Sequence, residues 1–318
     1  MRATNWLFAL ACCAALAAAQ STGKPQSAPA SRDYIGSDEC RSCHQPIFNN
    51  FEATPHFKTT LPGTRAHPSE PALASKTSGS QTPSTAAEGC ESCHGPGREH
   101  AESLGDPAKV IRFARLTRAD AANRCLTCPE YTEEHGSFRR SAHKSSAVAC
   151  LDCHSVHHAA ERQYLLRRPE TELCSSCHAN VSAEFARPFH HRVEEKLITC
   201  TECHAQHGSL LGRQLRSTAS QEAICGKCHA ETVGPFVFEH APQKTNGCET
   251  CHQPHGSVNP RLLKRAQVNL LCLECHTLSR GSSAKDLPSF HNQDTQFQAC
   301  TLCHTAIHGS NVSEKLLR

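Results

Sequence analysis

One long apolar run stands out along the chain, from about Trp6 to Ala18. Beyond it, hydrophobic and polar residues follow neither the helical period of 3.6 nor the strand period of 2 for more than a few residues. Alternation typical of a strand is nearly absent. The pattern predicts short helices joined by irregular chain, with little β structure.

The apolar run follows Arg2 and ends in small residues, which is typical of a secretory signal peptide over residues 1–19. It is shorter than the ~20 residues that a spanning helix needs. A membrane anchor and a lipoprotein cut at Cys12 are the competing interpretations. Residues 20–36 are then predicted to form a flexible tether, and the Ser, Thr and Pro-rich stretch 62–88 an exposed loop.

Two local signals indicate helix starts. Pro169 is placed for a first helical turn that leads to Cys174, and Thr218 with Gln221 resembles a capping box before Cys225. Both signals lie just upstream of a cysteine pair. We therefore expect the short helices to lie around these pairs.

The pairs belong to a repeated pentapeptide, Cys-x-x-Cys-His, which occurs nine times, while a tenth pair at Cys125 and Cys128 is followed by Pro129. Two thiols at this spacing can form thioethers with one haem, and the adjacent His can bind its iron. Zinc sites and redox pairs do not require that His, so c-type haem is strongly favoured over both. The predicted attachment residues are Cys40, Cys43, Cys90, Cys93, Cys125, Cys128, Cys150, Cys153, Cys174, Cys177, Cys200, Cys203, Cys225, Cys228, Cys248, Cys251, Cys272, Cys275, Cys300 and Cys303. The predicted proximal iron ligands are His44, His94, His154, His178, His204, His229, His252, His276 and His304.

From residue 125 onward the motifs repeat in pairs about every 50 residues. This periodicity predicts five two-motif modules, at residues 37–124, 125–173, 174–224, 225–271 and 272–318. We number the motifs one to ten in chain order, so that each module has an odd-numbered and an even-numbered motif.

A second histidine recurs near each motif, and these residues are candidates for the opposite face of the iron. The only methionine is Met1, so methionine ligation is excluded in the exported chain. His158 and His191 are alternatives to their neighbours His157 and His190, and spacing alone does not assign a histidine to an iron. The candidate distal ligands are His56, His100, His143, His157, His190, His207, His240, His255, His291 and His308.

Composition supports a fold built on its cofactors. Only 5% of the residues are aromatic, which is little for a conventional core of this length. The formal net charge is +3, and haem propionates would make the loaded chain acidic, so nucleic acid is not an indicated partner. We expect the chain without haem to be largely unfolded.

Pro129 leaves three outcomes open for the third motif. Its haem is absent, or it is attached and uses another proximal ligand such as His135, or it is attached with one open iron face. The sequence thus predicts nine haem c groups and leaves the tenth undecided.

The motifs, the paired modules and the segments around Cys90, His143 and Cys150 resemble those of the periplasmic decahaem c-type cytochromes of the DmsE/MtrA family. The resemblance implies a linear haem array in the periplasm, inserted in an outer-membrane β-barrel. Its implied partners are that barrel, an inner-membrane quinol dehydrogenase cytochrome, and an outer-surface reductase or cytochrome.

We therefore expect an electron-transfer protein of anaerobic respiration with no catalytic residues, one that moves electrons towards the cell exterior. The alternatives are a multihaem reductase with an open haem at Cys125 and Cys128, and a free periplasmic electron shuttle.

Overall fold

A computed structural model of the chain describes residues 31–59, 89–128, 133–216, 222–276 and 300–317. The predicted signal peptide, most of the tether and the loop 62–88 fall outside these ranges, as do Pro129, His291 and the capping box at Thr218. Within the described residues, no helix is long and apolar enough to cross a bilayer.

Short helices and irregular segments make up the described chain, which confirms the predicted fold class. The α-helices are α1 (Ser37–Glu52), α2 (Pro55–Thr59), α3 (Cys90–His94), α4 (Arg98–Glu102), α5 (Arg118–Leu126), α6 (Glu133–Gly136), α7 (Ala142–Ser145), α8 (Cys150–Cys153), α9 (Glu170–Ser175), α10 (Ala179–Phe185), α11 (Cys200–Cys203), α12 (Glu222–Gly226), α13 (Ala230–Val233), α14 (Ala241–Asn246) and α15 (Val268–Cys272). Single 3-10 turns are Ser31–Asp33, Pro107–Lys109, Phe113–Arg115, Ser137–Arg140, Gly212–Gln214, Cys248–Thr250, Pro260–Leu262 and Cys300–Leu302.

β structure in the described chain is one antiparallel pair, β1 (Phe238–Glu239) and β2 (Gly309–Ser310), with Phe238 opposite Ser310. Isolated bridges elsewhere join residues a short distance apart or hold one module to the next. Such short pairing cannot stabilise a domain by itself.

Two prolines shape the helices in which or before which they lie. Pro169 precedes α9 as its N-cap rather than lying within the first turn, with an extended ψ of 142°. Pro46 lies inside α1, and the backbone leaves helical geometry just before it, at His44. A proline lacks the N–H that would continue the ladder, so the helix kinks there.

Hydrophobic burial is thin. The main cluster joins Ala122 and Leu126 of α5 to Phe138 and Ala149, with Cys150 against it. Many large apolar side chains stay exposed, such as Leu210 at 84% and Leu302 at 75%. Polypeptide packing alone therefore supplies little of the stabilisation of this fold.

Candidate functional site

The cysteine pair of each complete motif lies on a helical turn that ends at the following histidine. In the complete motifs from Cys150 to Cys300, the His N–H donates to the carbonyl of the first cysteine at 2.8–3.0 Å. None of the motif cysteines forms a disulfide in the described chain, and most are partly exposed. The turn thus points two thiols and one imidazole at a common region.

Odd-numbered and even-numbered motifs leave this turn differently. After the odd motifs at Cys174 and Cys225 the chain enters another helix, with His178 at φ −94°, ψ 53° and His229 at φ −105°, ψ 50°. After the even motifs at Cys150 and Cys200 it becomes extended, with His154 at φ −105°, ψ 151° and His204 at φ −103°, ψ 143°. The two motif classes that the spacing indicated therefore differ in backbone geometry.

A backbone carbonyl orients the histidine of every even motif. His154 Nδ1 lies 2.8 Å from the Tyr164 oxygen, and the following residue, Leu165, has a positive φ of 57°. The same arrangement recurs at His204, His252 and His304, whose Nδ1 atoms lie near carbonyls that precede Gln214, Leu262 and Leu316. Nδ1–H donates to the carbonyl, so the lone pair is left on Nε2, the tautomer that a metal ligand requires.

Eight motif histidines face a second histidine ring at nearly constant separation. Their ring centroids lie 5.9–6.3 Å apart. The pairs are His44–His100, His94–His157, His154–His207, His178–His143, His204–His255, His229–His191, His252–His308 and His276–His240. The candidate partner of the ninth, His304, is His291, which lies outside the described residues.

This separation fits an iron porphyrin between the rings. Two metal–imidazole bonds of about 2 Å each, plus roughly half a ring on either side, give about 6 Å. Direct ring contact is shorter, as in the pair His135–His207 at 4.7 Å. Each complete motif also supplies two thiols. The thiols and the paired histidines therefore suit haem c with two histidine ligands.

The histidine pairs connect neighbouring modules, and they form two series, one for even motifs and one for odd motifs. In one, the histidine behind each later even motif faces the preceding even motif, so His207, His255 and His308 face His154, His204 and His252. In the other, His143, His191 and His240 face the odd motif of the next module. Neighbouring modules thus share their sites.

The two series are also bonded to each other. His143 Nδ1 lies 2.8 Å from the carbonyl of Gln206, next to His207, and His191 Nδ1 lies 2.6 Å from the carbonyl of Pro254, next to His255. Burial lowers the pKa of His240, and the nearby carbonyl of Ile307, next to His308, opposes this shift. Each backbone carbonyl again leaves Nε2 of the distal histidine as the lone-pair nitrogen.

A Gly-Ser pair follows three of these histidines and lets their loops approach the preceding module. A Cβ at Gly256 would lie 2.0 Å from the Glu184 carbonyl oxygen, and one at Gly208 would lie 2.6 Å from that of Ser137. Ser257, 0% exposed, bridges Phe189 through its backbone and donates its hydroxyl hydrogen to the Leu263 carbonyl at 2.7 Å. The glycine that follows the histidine at Gly208, Gly256 and Gly309 is the sequence signal for this docking, since its recurrence suits a tight reversal of the chain.

Burial keeps many of these imidazoles neutral. It lowers the pKa values of a group of ring members below their ordinary value, namely His154, His157, His204, His240 and His308. Only a neutral imidazole can bind a metal, so this environment favours the ligating form.

His190 is the predicted candidate that the geometry does not place at a motif. Its neighbour His191 faces His229, whereas His190 Nε2 lies 3.4 Å from Glu195 Oε1. The Arg187 carbonyl and then Glu195 raise the pKa of His190, which favours the protonated form that cannot bind iron. The structure therefore favours His191 in this position. At the other ambiguous position His157 faces His94, and His158 contacts Asn50.

The cysteines form a continuous series along the described chain. Within each module the first cysteines of the two motifs are neighbours, and the neighbouring Cys40 lowers the pKa of Cys90. In the same way Cys125 is a neighbour of Cys150 and lowers its pKa. Between modules, the second cysteines come within electrostatic reach, in the pairs Cys93–Cys128, Cys153–Cys177, Cys203–Cys228 and Cys251–Cys275.

Comparison with known proteins agrees with this geometry. The doubled CXXCH motif family matches residues 143–183, 190–234 and 240–281, and the cytochrome c554 and c-prime family matches residues 39–112. A curated relative, the multiheme cytochrome MtrA of Shewanella baltica (strain OS185), is 33% identical over 240 residues, which are 72% of this chain and 70% of that protein. This chain belongs to the MtrA family of multihaem c-type cytochromes.

Haem c is accordingly its cofactor, and electron transfer is the activity that membership implies. Among solved structures, the undecaheme cytochrome from the S-layer of Carboxydothermus ferrireducens is 17% identical, with a TM-score of 0.19. That comparison covers 92% of this chain, which spans 60% of the length of the undecaheme chain.

Proposed function

We propose that this MtrA-family cytochrome relays electrons through its modules from an inner-membrane quinol-oxidising cytochrome towards the outer membrane. The observation that carries the proposal is the unbroken series of neighbouring cysteines from Cys40 to Cys300. Haems attached to such thiols would lie close to the next ones in order, and each haem, when bound, carries one electron.

The protein's own contribution is to hold two imidazoles at each iron. His204 is fixed by the Arg213 carbonyl at 3.1 Å and His255 by the Glu184 carboxylate at 3.0 Å, on opposite sides of one site. With both faces occupied, a substrate has no coordination position, and neutral nitrogen ligands favour low potentials over those of methionine ligation. Rigid ligands also keep reorganisation small, which suits transfer rather than catalysis.

Location and partners follow from the family resemblance. We propose that the N-terminal segment exports the chain to the periplasm and that the folded modules enter an outer-membrane β-barrel. An outer-surface reductase or cytochrome would accept the electrons on the far side. The formal net charge is only +3, and haem propionates would make the loaded chain acidic, so we do not propose nucleic acid as a partner.

Isolation from outer membranes in mild detergent, followed by reconstitution into liposomes, tests the proposal. The cytochrome should co-purify with a barrel protein, and external dithionite should then reduce a redox dye trapped inside the liposomes. Liposomes that hold the barrel alone are the control. Transfer at the control rate, or a cytochrome that stays in the soluble periplasmic fraction, would contradict the conduit and favour a free shuttle.

The reductase alternative is tested on the same material. The reduced protein is mixed with nitrite, hydroxylamine or tetrathionate, and its reoxidation is followed optically. We expect no acceleration over buffer, because each paired imidazole site is closed on both faces. Rapid catalytic turnover would refute this.

A further inference from the structure

The third motif is the one site whose proximal ligand is missing from the sequence. Pro129 has no imidazole, and it lacks the N–H that the complete motifs donate to the first cysteine carbonyl. The described residues around it nevertheless retain the other parts of a haem site.

The cysteine turn of the third motif matches those of the complete motifs. Thr127 Oγ1 donates to the Arg124 carbonyl at 2.7 Å and lies 3.8 Å from Cys128 Sγ. At the fifth motif, Ser176 makes the corresponding contacts at 2.6 and 3.9 Å. The thiols of Cys125 and Cys128 are thus arranged as in a motif that attaches haem.

The interlocking series assigns a distal histidine to this motif. His143, His191 and His240 each face the odd motif of the following module. In the first module the corresponding residue is His56, which comes soon after the first motif and before the second. The odd motif of its following module is the one at Cys125.

A second histidine, His135, lies in a segment that folds back onto the helix of the third motif. His135 follows the motif by seven residues, and the next turn returns to α5, where Phe138 packs against Ala122 and Leu126. Arg139 Nη1 also donates to Asn123 Oδ1 of α5 at 3.3 Å. His135 is only half-exposed and lies outside the eight facing pairs.

His135 lies next to the fourth motif, and His56 has electrostatic neighbours there. Burial, and then charge on His154 and His135, lowers the pKa of His56. The His135 ring lies 4.7 Å from that of His207, the partner of His154. His56 and His135 are therefore next to the site that adjoins the third motif in the cysteine series.

We propose that Cys125 and Cys128 carry a tenth haem c, with His56 and His135 as its axial ligands. The proposal rests on the double histidine ligation proposed above for the other motifs. Attachment adds each S–H across one vinyl group, with sulfur on one vinyl carbon and hydrogen on the other, so no oxidant or reductant is consumed. The alternative for these thiols, a disulfide, would instead require the loss of two hydrogens to an oxidant.

Intact mass of the purified holoprotein counts the haems directly. We expect ten in the natural chain, and nine in a Cys125→Ala/Cys128→Ala variant whose other haems also report that it folds. Nine haems in the natural chain, with no change in the variant, would overturn the tenth site while leaving the proposed relay in place at the other motifs.

Electron paramagnetic resonance of the oxidised protein tests the ligands. The natural chain should be entirely low-spin, and His135→Ala or His56→Ala should each convert one iron per chain to high spin, which added imidazole reverses. His158→Ala is the matched control, because His158 lies outside the facing pairs, and it should change nothing. A high-spin iron already present in the natural chain, or low-spin spectra in His135→Ala, would refute the assignment of His135. High-spin iron at most sites of the natural chain would instead refute the ligation on which the relay depends.

Discussion

Glu91 occupies a variable position of the second motif, yet its side chain is only 3% exposed. Its carboxylate accepts backbone N–H groups from Ile35 at 3.1 Å, Gly36 at 2.9 Å and Gly97 at 2.7 Å. These bonds join the segment before the first motif to the loop after the second. We predict that Glu91→Gln loosens this junction selectively.

The magnitude follows from the number of donors that the carboxylate serves. A glutamine amide has one acceptor oxygen, so its NH2 group faces at least one backbone N–H that becomes unsatisfied. An unsatisfied buried donor costs about 1–3 kcal/mol, and loss of the charge on the remaining bonds adds about 1 kcal/mol. We expect a local cost of about 2–4 kcal/mol, or roughly 30- to 700-fold faster amide exchange at one tenfold step per 1.4 kcal/mol.

Hydrogen exchange followed by mass spectrometry measures this local opening without requiring two-state unfolding of the whole chain. The peptides that contain Ile35, Gly36 and Gly97 should exchange faster, while those from later modules should not. Glu102→Gln is the control, because Glu102 is 66% exposed and pairs with Arg98 at 3.5 Å. Exchange in Glu91→Gln no faster than in this control would refute the reasoning.

Three further predictions concern the ligand loops and the cofactor. His255→Ala should produce one high-spin ferric iron per chain in electron paramagnetic resonance, whereas His190→Ala should not; equal spectra would contradict the ring pairing. Gly256→Ala should displace the loop that carries His255 and give the same high-spin signal, because a new Cβ there would lie 2.0 Å from a backbone oxygen. Gly212→Ala is the control, because a Cβ there has nothing within 4 Å, and it should give no high-spin signal. Production without haem attachment should leave a largely unfolded chain by circular dichroism, because few apolar side chains are buried by polypeptide alone; a native-like spectrum would show that the core suffices.

The sequence predicted the fold class and the cofactor because both depend on local spacing. Cys-x-x-Cys-His fixes two thiols and one imidazole on a single turn, whatever the rest of the chain does. The paired periodicity also separated odd from even motifs, and the different backbone angles at His178 and His154 agree with that division.

The pairing of imidazoles could not be deduced in the same way, because it depends on contacts between modules. Spacing could not decide between His190 and His191, which differ by one residue but whose rings have different partners, Glu195 and His229. The carbonyls that orient the motif histidines depend on non-glycine residues with positive φ, such as Leu165, which carry no sequence signal. Glu91 was missed for the same reason, since two of its three donors, Ile35 and Gly36, are 56 and 55 residues away in the chain.

In the proposed export of the chain from its N-terminus, the two histidine series would set an order in which ligands emerge. For the odd motifs at Cys174, Cys225 and Cys272 the second imidazole would emerge before the cysteines, as His143 precedes His178, whereas His100 follows His44 in the first module. For even motifs it emerges about a module later, as His207 follows His154, so one side of the iron stays exposed to solvent in the meantime. Biogenesis would thus pass through a series of half-closed sites, each sealed by the stretch of chain that follows it.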